Sequence, residues 1–269
     1  MTTIHIETIR TDLFSMDYFR FGRGEKTLVI LPGLSVQSVM SSADAVAAAY
    51  QPLTDDFTVY LFDRRKELSD SYSVKDMAND TDAAIRAIGL KNICLFGASQ
   101  GGMIAMQIAV DDPALVQKLV LASTTSCVTE ECFQLIDSWI QFARNGDRET
   151  LYLSFGESLY PRELFEQSRE MLIAAAKTVT DEELVRFTIL TEGVKDFDVT
   201  DSLKQIVCPV LAVGSKDDKL LGADALAQIA GQMKEHTNFE CFLYNDCGHA
   251  LYDTAADFKE RMLRFLTAE

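Results

Sequence analysis

Asn92-Ile93-Cys94-Leu95-Phe96-Gly97-Ala98-Ser99-Gln100-Gly101-Gly102-Met103-Ile104 is the stretch on which the reading of this chain turns. Ile93 to Phe96 is a short, continuous apolar run, as expected of a strand buried on both faces. It runs into Gly97-x-Ser99-x-Gly101, and Met103, Ile104, Met106, Ile108 and Ala109 then follow an apolar helical pattern. Strand, tight Gly-flanked turn and helix is the context that gives G-x-S-x-G a chemical meaning, because it lifts the serine hydroxyl out of the chain. The glycines answer to neighbouring backbone that passes too close for a Cβ, and to φ/ψ values that suit Gly. The plain alternative is an ordinary β–α turn whose serine caps the helix.

The chain has 269 residues, 48% of them hydrophobic and 25% charged, which fits one large globular domain or a domain with an insertion. No apolar run approaches the roughly 18 residues of a membrane span. The start, Met1-Thr-Thr-Ile-His-Ile-Glu7, lacks a basic region followed by an apolar one, so no signal peptide is expected. A net charge of −16 argues against nucleic acid and anionic membranes as partners. Six scattered cysteines contain no C-x-x-C pair. They read as reduced core thiols of a cytoplasmic protein rather than disulfides or a zinc site.

Outward from the quoted stretch, short apolar runs alternate with helical patterns. Strands are expected at Ile4–Ile9, Phe14–Phe21, Thr27–Leu31, Thr58–Phe62, Asn92–Phe96, Lys118–Ala122, Pro209–Val213 and Phe239–Tyr244. The first two alternate more and should form an antiparallel hairpin at a sheet edge. One helix should start at Ser73-Val-Lys-Asp76, which resembles a capping box. Another should run over 255–266. The alternation predicts an α/β fold with a doubly wound, mostly parallel eight-stranded sheet. It breaks between 126 and 206, where only helical patterns occur, at 131–145, 149–159, 162–177 and 181–191. Residues 126–206 therefore read as a helical cap inserted into a core made of 1–125 and 207–269.

A serine hydroxyl needs a base, and the base needs an acid to orient it. Of the three histidines, His5 lies in the N-terminal run and His236 precedes the last strand. His249 follows that strand in Asp246-Cys247-Gly248-His249, at the carboxyl end where α/β sheets place their ligands. The acid is expected after the strand Pro209–Val213, in Gly214-Ser215-Lys216-Asp217-Asp218. Adjacent side chains in an irregular loop point different ways, so one of the two serves; Asp217 is the first choice and Asp218 the reserve. An oxyanion would need two backbone N–H donors. Gln100 supplies one, and Leu34, in Pro32-Gly33-Leu34-Ser35, is the candidate for the other.

These features resemble the α/β-hydrolase fold superfamily over essentially the whole chain, and most closely the members with a helical cap. The elbow around Ser99, the Gly214…Asp217 turn and the Gly248-His249 ending occur in the family's order. Two positions depart from it. Pro32-Gly33 stands where many relatives have His-Gly. Asp63-Arg64-Arg65-Lys66-Glu67-Leu68-Ser69 keeps the Asp, Arg and Ser of Asp-x-Arg-Gly-x-Gly-x-Ser but loses both glycines.

The resemblance implies a serine hydrolase that cleaves a carboxylic ester, thioester or lactone through an acyl-enzyme, with no metal or cofactor. Carbon–carbon bond hydrolysis, amidase or aminopeptidase activity and cofactor-free perhydrolysis are alternatives in the same site. A ligand receptor on the same fold is the non-enzymatic one. Trp139, Phe142, Tyr152 and Phe155 in the cap are expected to line an apolar pocket for a small-molecule substrate. Nothing in the sequence decides between a monomer and a homodimer.

Overall fold

The computed structural model describes residues 3–268. Its eight strands are β1 (Ile6–Arg10), β2 (Ser15–Gly22), β3 (Lys26–Leu31), β4 (Phe57–Arg65), β5 (Ile93–Ala98), β6 (Val116–Ala122), β7 (Val210–Ser215) and β8 (Phe239–Tyr244). They form one sheet in the order β1-β2-β4-β3-β5-β6-β7-β8. β1 and β2 pair antiparallel, as the alternation in their sequences predicts, and β2 is antiparallel to β4. Every pairing from β4 onward is parallel. The carboxyl ends of β3, β5, β6, β7 and β8 therefore open on one edge, and the loops that carry the candidate residues meet there.

The helices are α1 (Ala43–Ala49), α2 (Val74–Ala87), α3 (Gln100–Asp111), α4 (Glu130–Arg144), α5 (Arg148–Leu159), α6 (Arg162–Ala176), α7 (Asp181–Glu192), α8 (Asp224–Gln232), α9 (Leu251–Thr254) and α10 (Phe258–Thr267). The capping box at the start of α2 is complete: the Ser73 side chain accepts from the Asp76 N–H, and the Asp76 carboxylate accepts from the Ser73 N–H. Inner strands are apolar on both faces because both faces are covered. Val29, Leu31, Leu95, Leu119 and Leu121 pack with α2, α3 and the helices after β6. Leu28, Ile30, Phe96, Val120 and Val213 face the other way, toward α1, α9 and α10.

Four helices, α4 to α7, occupy the gap between β6 and β7 where the strand rhythm breaks. Their segment leaves and rejoins the sheet at a narrow neck. There the Val128 N–H donates to the Phe197 carbonyl at 3.0 Å and the Val199 N–H to the Ser126 carbonyl at 2.8 Å. Among the described residues no helix is long and apolar enough to cross a membrane.

The β5–α3 junction is tightly packed. A Cβ on Gly97 would lie 2.3 Å from the Gly101 carbonyl oxygen, and one on Gly101 would lie 2.0 Å from that of Leu31. Backbone cannot step aside as a flexible side chain can. Gly97→Ala is therefore expected to destabilise the protein by about 1–3 kcal/mol, the usual cost of overpacking. Chemical denaturation measures this, and an unchanged midpoint would contradict the packing described.

Candidate active site

Ser99 sits between β5 and α3 with φ 52° and ψ −122°. A β-region strand enters this residue and a helix leaves it, so the chain must turn within one position. The surrounding hydrogen bonds hold it there. Its N–H donates to the Ala122 carbonyl at 2.9 Å, and its carbonyl accepts from the Thr124 hydroxyl at 2.8 Å. Ser99 occupies the N-cap position of α3, yet its side chain makes no capping bond. The hydroxyl points instead to His249, with Oγ 2.8 Å from Nε2.

His249 is fully buried. Its Nδ1 lies 2.8 Å from Asp218 Oδ2. A carboxylate only accepts, so Nδ1 carries the proton and Nε2 is left as the acceptor for the serine hydroxyl. The first choice of acid is thus corrected by one residue: Asp218, not Asp217, meets His249. The turn after β7 sends the two side chains apart. Asp218 points inward, where its Oδ1 also accepts from the Leu220 and Leu221 N–H groups, both at 2.9 Å. Asp217 points at the neighbouring loop and accepts from the Cys247 N–H at 3.2 Å, the Gly248 N–H at 3.1 Å and the Ser215 hydroxyl.

Asp217 therefore clamps the loop that carries His249. Gly248 completes that loop with φ 65°, and a Cβ there would lie 2.8 Å from the Leu159 carbonyl oxygen. Both the conformation and the space call for glycine. The Ala250 N–H donates to the same carbonyl at 2.9 Å, tying the loop to the end of α5.

Leu34 and Gln100 line the chamber over Ser99. Among the described residues neither backbone N–H has an acceptor. The Gln100 side chain is used elsewhere. Its Oε1 accepts from Arg64 Nη2 at 3.0 Å, and its Nε2 donates to the Leu190 carbonyl in α7 at 2.7 Å. The same Arg64 Nη2 donates to the Pro32 carbonyl at 2.7 Å. Arg64 is buried, which lowers its guanidinium pKa to about 10 despite the nearby Asp63. One buried cation thus ties the 32–34 loop to the start of α3, and through Gln100 to α7. Its neighbour Asp63 holds the other side of that loop, accepting from the Ser38 hydroxyl at 2.6 Å and from Arg186 at 3.1 Å.

The chamber itself is small, about 30 Å³. Trp139 and Phe155 wall it, with ring centroids 4.8 Å apart and an interplanar angle of 69°. Tyr152 lies outside it, beside an adjoining groove, where its hydroxyl donates to Gln37 Oε1 at 3.0 Å. Phe142 lines neither space. It packs against the main core. The pocket reading of Phe142 is corrected accordingly. Ile136, Leu220, Leu221 and Tyr252 also line the chamber. No periodicity distinguishes them from core residues, so sequence reasoning passes them over. Among the described residues no cluster of His, Cys, Asp and Glu is arranged to hold a metal ion.

The family model for the alpha/beta hydrolase fold matches residues 26–256. The chain belongs to the α/β hydrolase family. As an α/β hydrolase it is 24% identical over 252 residues to RutD of Rhizobium rhizogenes, a protein provisionally named carbamate hydrolase. That match covers 90% of this chain and 93% of the relative. In structure it resembles MGS-M2, an α/β hydrolase enzyme from a Medee basin deep-sea metagenome library. The TM-score is 0.86 at 20% identity, with 98% of each chain covered. It also resembles the enol-lactonase of Burkholderia xenovorans LB400, with a TM-score of 0.82 at 14% identity over 97% of this chain and 100% of the other. At these identities the structural likenesses speak for the fold alone.

Hydrogen bonds to the Asp217 carboxylate outweigh the effect of burial and leave its pKa below the ordinary carboxylate value. A depressed folded-state pKa stabilises above the unfolded value, about 3.9, and that stabilisation is lost as pH falls through the folded value. Asp217→Ala should thus be less stable than the parent at pH 6, with the gap narrowing below about pH 4. Denaturant titrations across that range test this, and a gap that widens in acid would contradict the clamp.

Proposed function

We propose that this α/β hydrolase is a serine hydrolase that cleaves a carboxylic ester, thioester or lactone of a small apolar substrate through an acyl-enzyme. The observation that carries the proposal is the unbroken relay from Ser99 Oγ to His249 Nε2 and from His249 Nδ1 to Asp218 Oδ2, each step 2.8 Å. Neither a binding module nor a receptor needs a base on its serine and an acid on that base. Leu34 and Gln100, whose backbone N–H groups have no acceptor among the described residues, line the same chamber.

The chemistry follows from these positions. His249 Nε2 takes the hydroxyl proton as Ser99 Oγ attacks the substrate carbonyl carbon. The charge that develops on the carbonyl oxygen is met by the Leu34 and Gln100 N–H groups, which need no reorganisation to do so. Asp218 stabilises the imidazolium and keeps it in the right orientation. The intermediate collapses, the bond to the leaving oxygen or sulfur breaks, and His249 returns the proton to that atom. A water molecule then gives a proton to His249 and attacks the acyl carbon; the bond from that carbon to Ser99 Oγ breaks as His249 returns the proton to Oγ, which releases the acid and restores Ser99. In this reading α4 to α7, within residues 126–206, act as a cap whose Trp139 and Phe155 favour apolar groups near the reacting carbon.

A second reading, carbamate hydrolysis, is favoured by the name of the curated relatives. A carbamate presents the same carbonyl with nitrogen on one side, and the same relay serves it.

Steady-state kinetics on p-nitrophenyl esters and on matched p-nitrophenyl carbamates separate the two readings. Ester turnover should exceed carbamate turnover. Ser99→Ala should abolish both, and Asp218→Asn should lower kcat by about 10⁴, as in related relays. Asp217→Asn should cost far less. Activity retained in Ser99→Ala would overturn the proposal.

A further inference from the structure

The chamber over Ser99, about 30 Å³, has room for little more than a water molecule. Whatever a substrate carries beyond its reacting carbonyl must lie elsewhere. A groove of about 440 Å³ adjoins the chamber, and the two share Leu34, Phe155, Leu159 and Tyr252 in their walls. The groove runs between the loop after β3 and the segment after His249. Apolar side chains such as Val39, Val46, Phe96 and Leu172 make much of its surface.

Among the described residues, Asp253 is the one charged residue that lines this groove. It belongs to α9, four positions beyond His249. Tyr50, Tyr160 and Tyr252 line the groove with it. Burial raises the pKa of Asp253, against the pull of Lys259. Burial also raises Tyr160 and Tyr252, and the Asp253 charge adds to both, so the carboxylate and the phenols share one local environment. Lys259 does not neutralise Asp253 by contact. Its ammonium donates to the Tyr252 carbonyl and lies over the Tyr50 ring, 5.3 Å from the centroid. Among the described residues no cation comes within ion-pair distance of Asp253 and no group donates a hydrogen bond to its carboxylate, although the other carboxylates of the site, Asp217 and Asp218, are fully engaged.

We propose that this groove holds the remote end of the substrate, and that Asp253 there receives a hydrogen-bond-donating head group, a hydroxyl or a primary ammonium. The proposal rests on the serine-hydrolase reading, since it places the reacting carbonyl at Ser99. Asp253 is exposed on the groove and unpaired within the described residues, so its carboxylate is free to accept from a ligand donor that reaches it. Tyr160 and Tyr252 line the groove beside it. The substrate is then apolar along its middle and polar at its tip, matching the apolar walls and the single carboxylate of the groove.

Three series of p-nitrophenyl alkanoates test this, with chains of four to ten carbons that end in a methyl, a hydroxyl or an ammonium group. At the best chain length, kcat/KM for one or both polar-tipped esters should exceed that of the methyl-tipped ester by about threefold, the scale of a pairing with an exposed charged group. Asp253→Leu should erase the preference while leaving methyl-tipped turnover in place. Asp253→Asn should keep a preference for hydroxyl and lose one for ammonium, which tells the two head groups apart. Equal kcat/KM for all three tips in the parent protein, or a preference that survives Asp253→Leu, would overturn the head-group site alone. No turnover of any ester, together with no labelling of Ser99 by a fluorophosphonate, would overturn the serine-hydrolase reading and this proposal with it.

Discussion

The backbone at Ser99 is the constraint on which the site depends. A non-glycine residue at φ 52° and ψ −122° costs on the order of 1–3 kcal/mol and persists only when its surroundings leave no alternative. Here they leave none. The Ser99 N–H is held by Ala122 at the end of β6, and its carbonyl by Thr124 just beyond it. Gly97 and Gly101 let β5, α3 and the end of β3 approach to distances that any side chain would forbid. The strained residue therefore lies between three elements that already fit together. Relaxing it would mean separating them.

The same packing determines where the other groups can be. Because α3 begins directly after Ser99, the N–H of Gln100 has no helical acceptor, and Gln100 lines the chamber. The Gln100 side chain is drawn away by Arg64 and Leu190 and stays clear of the reacting space. The two adjacent aspartates after β7 divide the remaining work. Asp218 engages the imidazole, and Asp217 secures the backbone of the loop that presents it. A relay held by contacts on every member needs little rearrangement when charge moves along it.

Most of this architecture is legible in the sequence. Continuous apolar runs mark the inner strands because both faces of a parallel sheet are covered, and each of the eight expected runs corresponds to an observed strand. The capping residues of α2 and the strandless segment after β6 are equally plain. What the sequence leaves open are choices made by side-chain direction within loops. Asp217 and Asp218 are chemically identical neighbours, and only the turn geometry sends one to His249. Phe142 and Phe155 both pack against the main core, yet only Phe155 also lines the chamber. Arg64 is hidden for another reason. In sequence it is one of several charges in Asp63-Arg64-Arg65-Lys66-Glu67, and only the fold shows it buried between Pro32 and Gln100.

The central claim is that Ser99 becomes covalently acylated during turnover. Intact-mass spectrometry of protein quenched within the first turnovers of p-nitrophenyl butyrate, followed by peptide mapping, tests it most directly. The account predicts a mass gain equal to one butyryl group, located on the peptide that contains Ser99 and lost as the substrate is exhausted. Sustained turnover with no mass gain, or with the butyryl group on another residue, would contradict it.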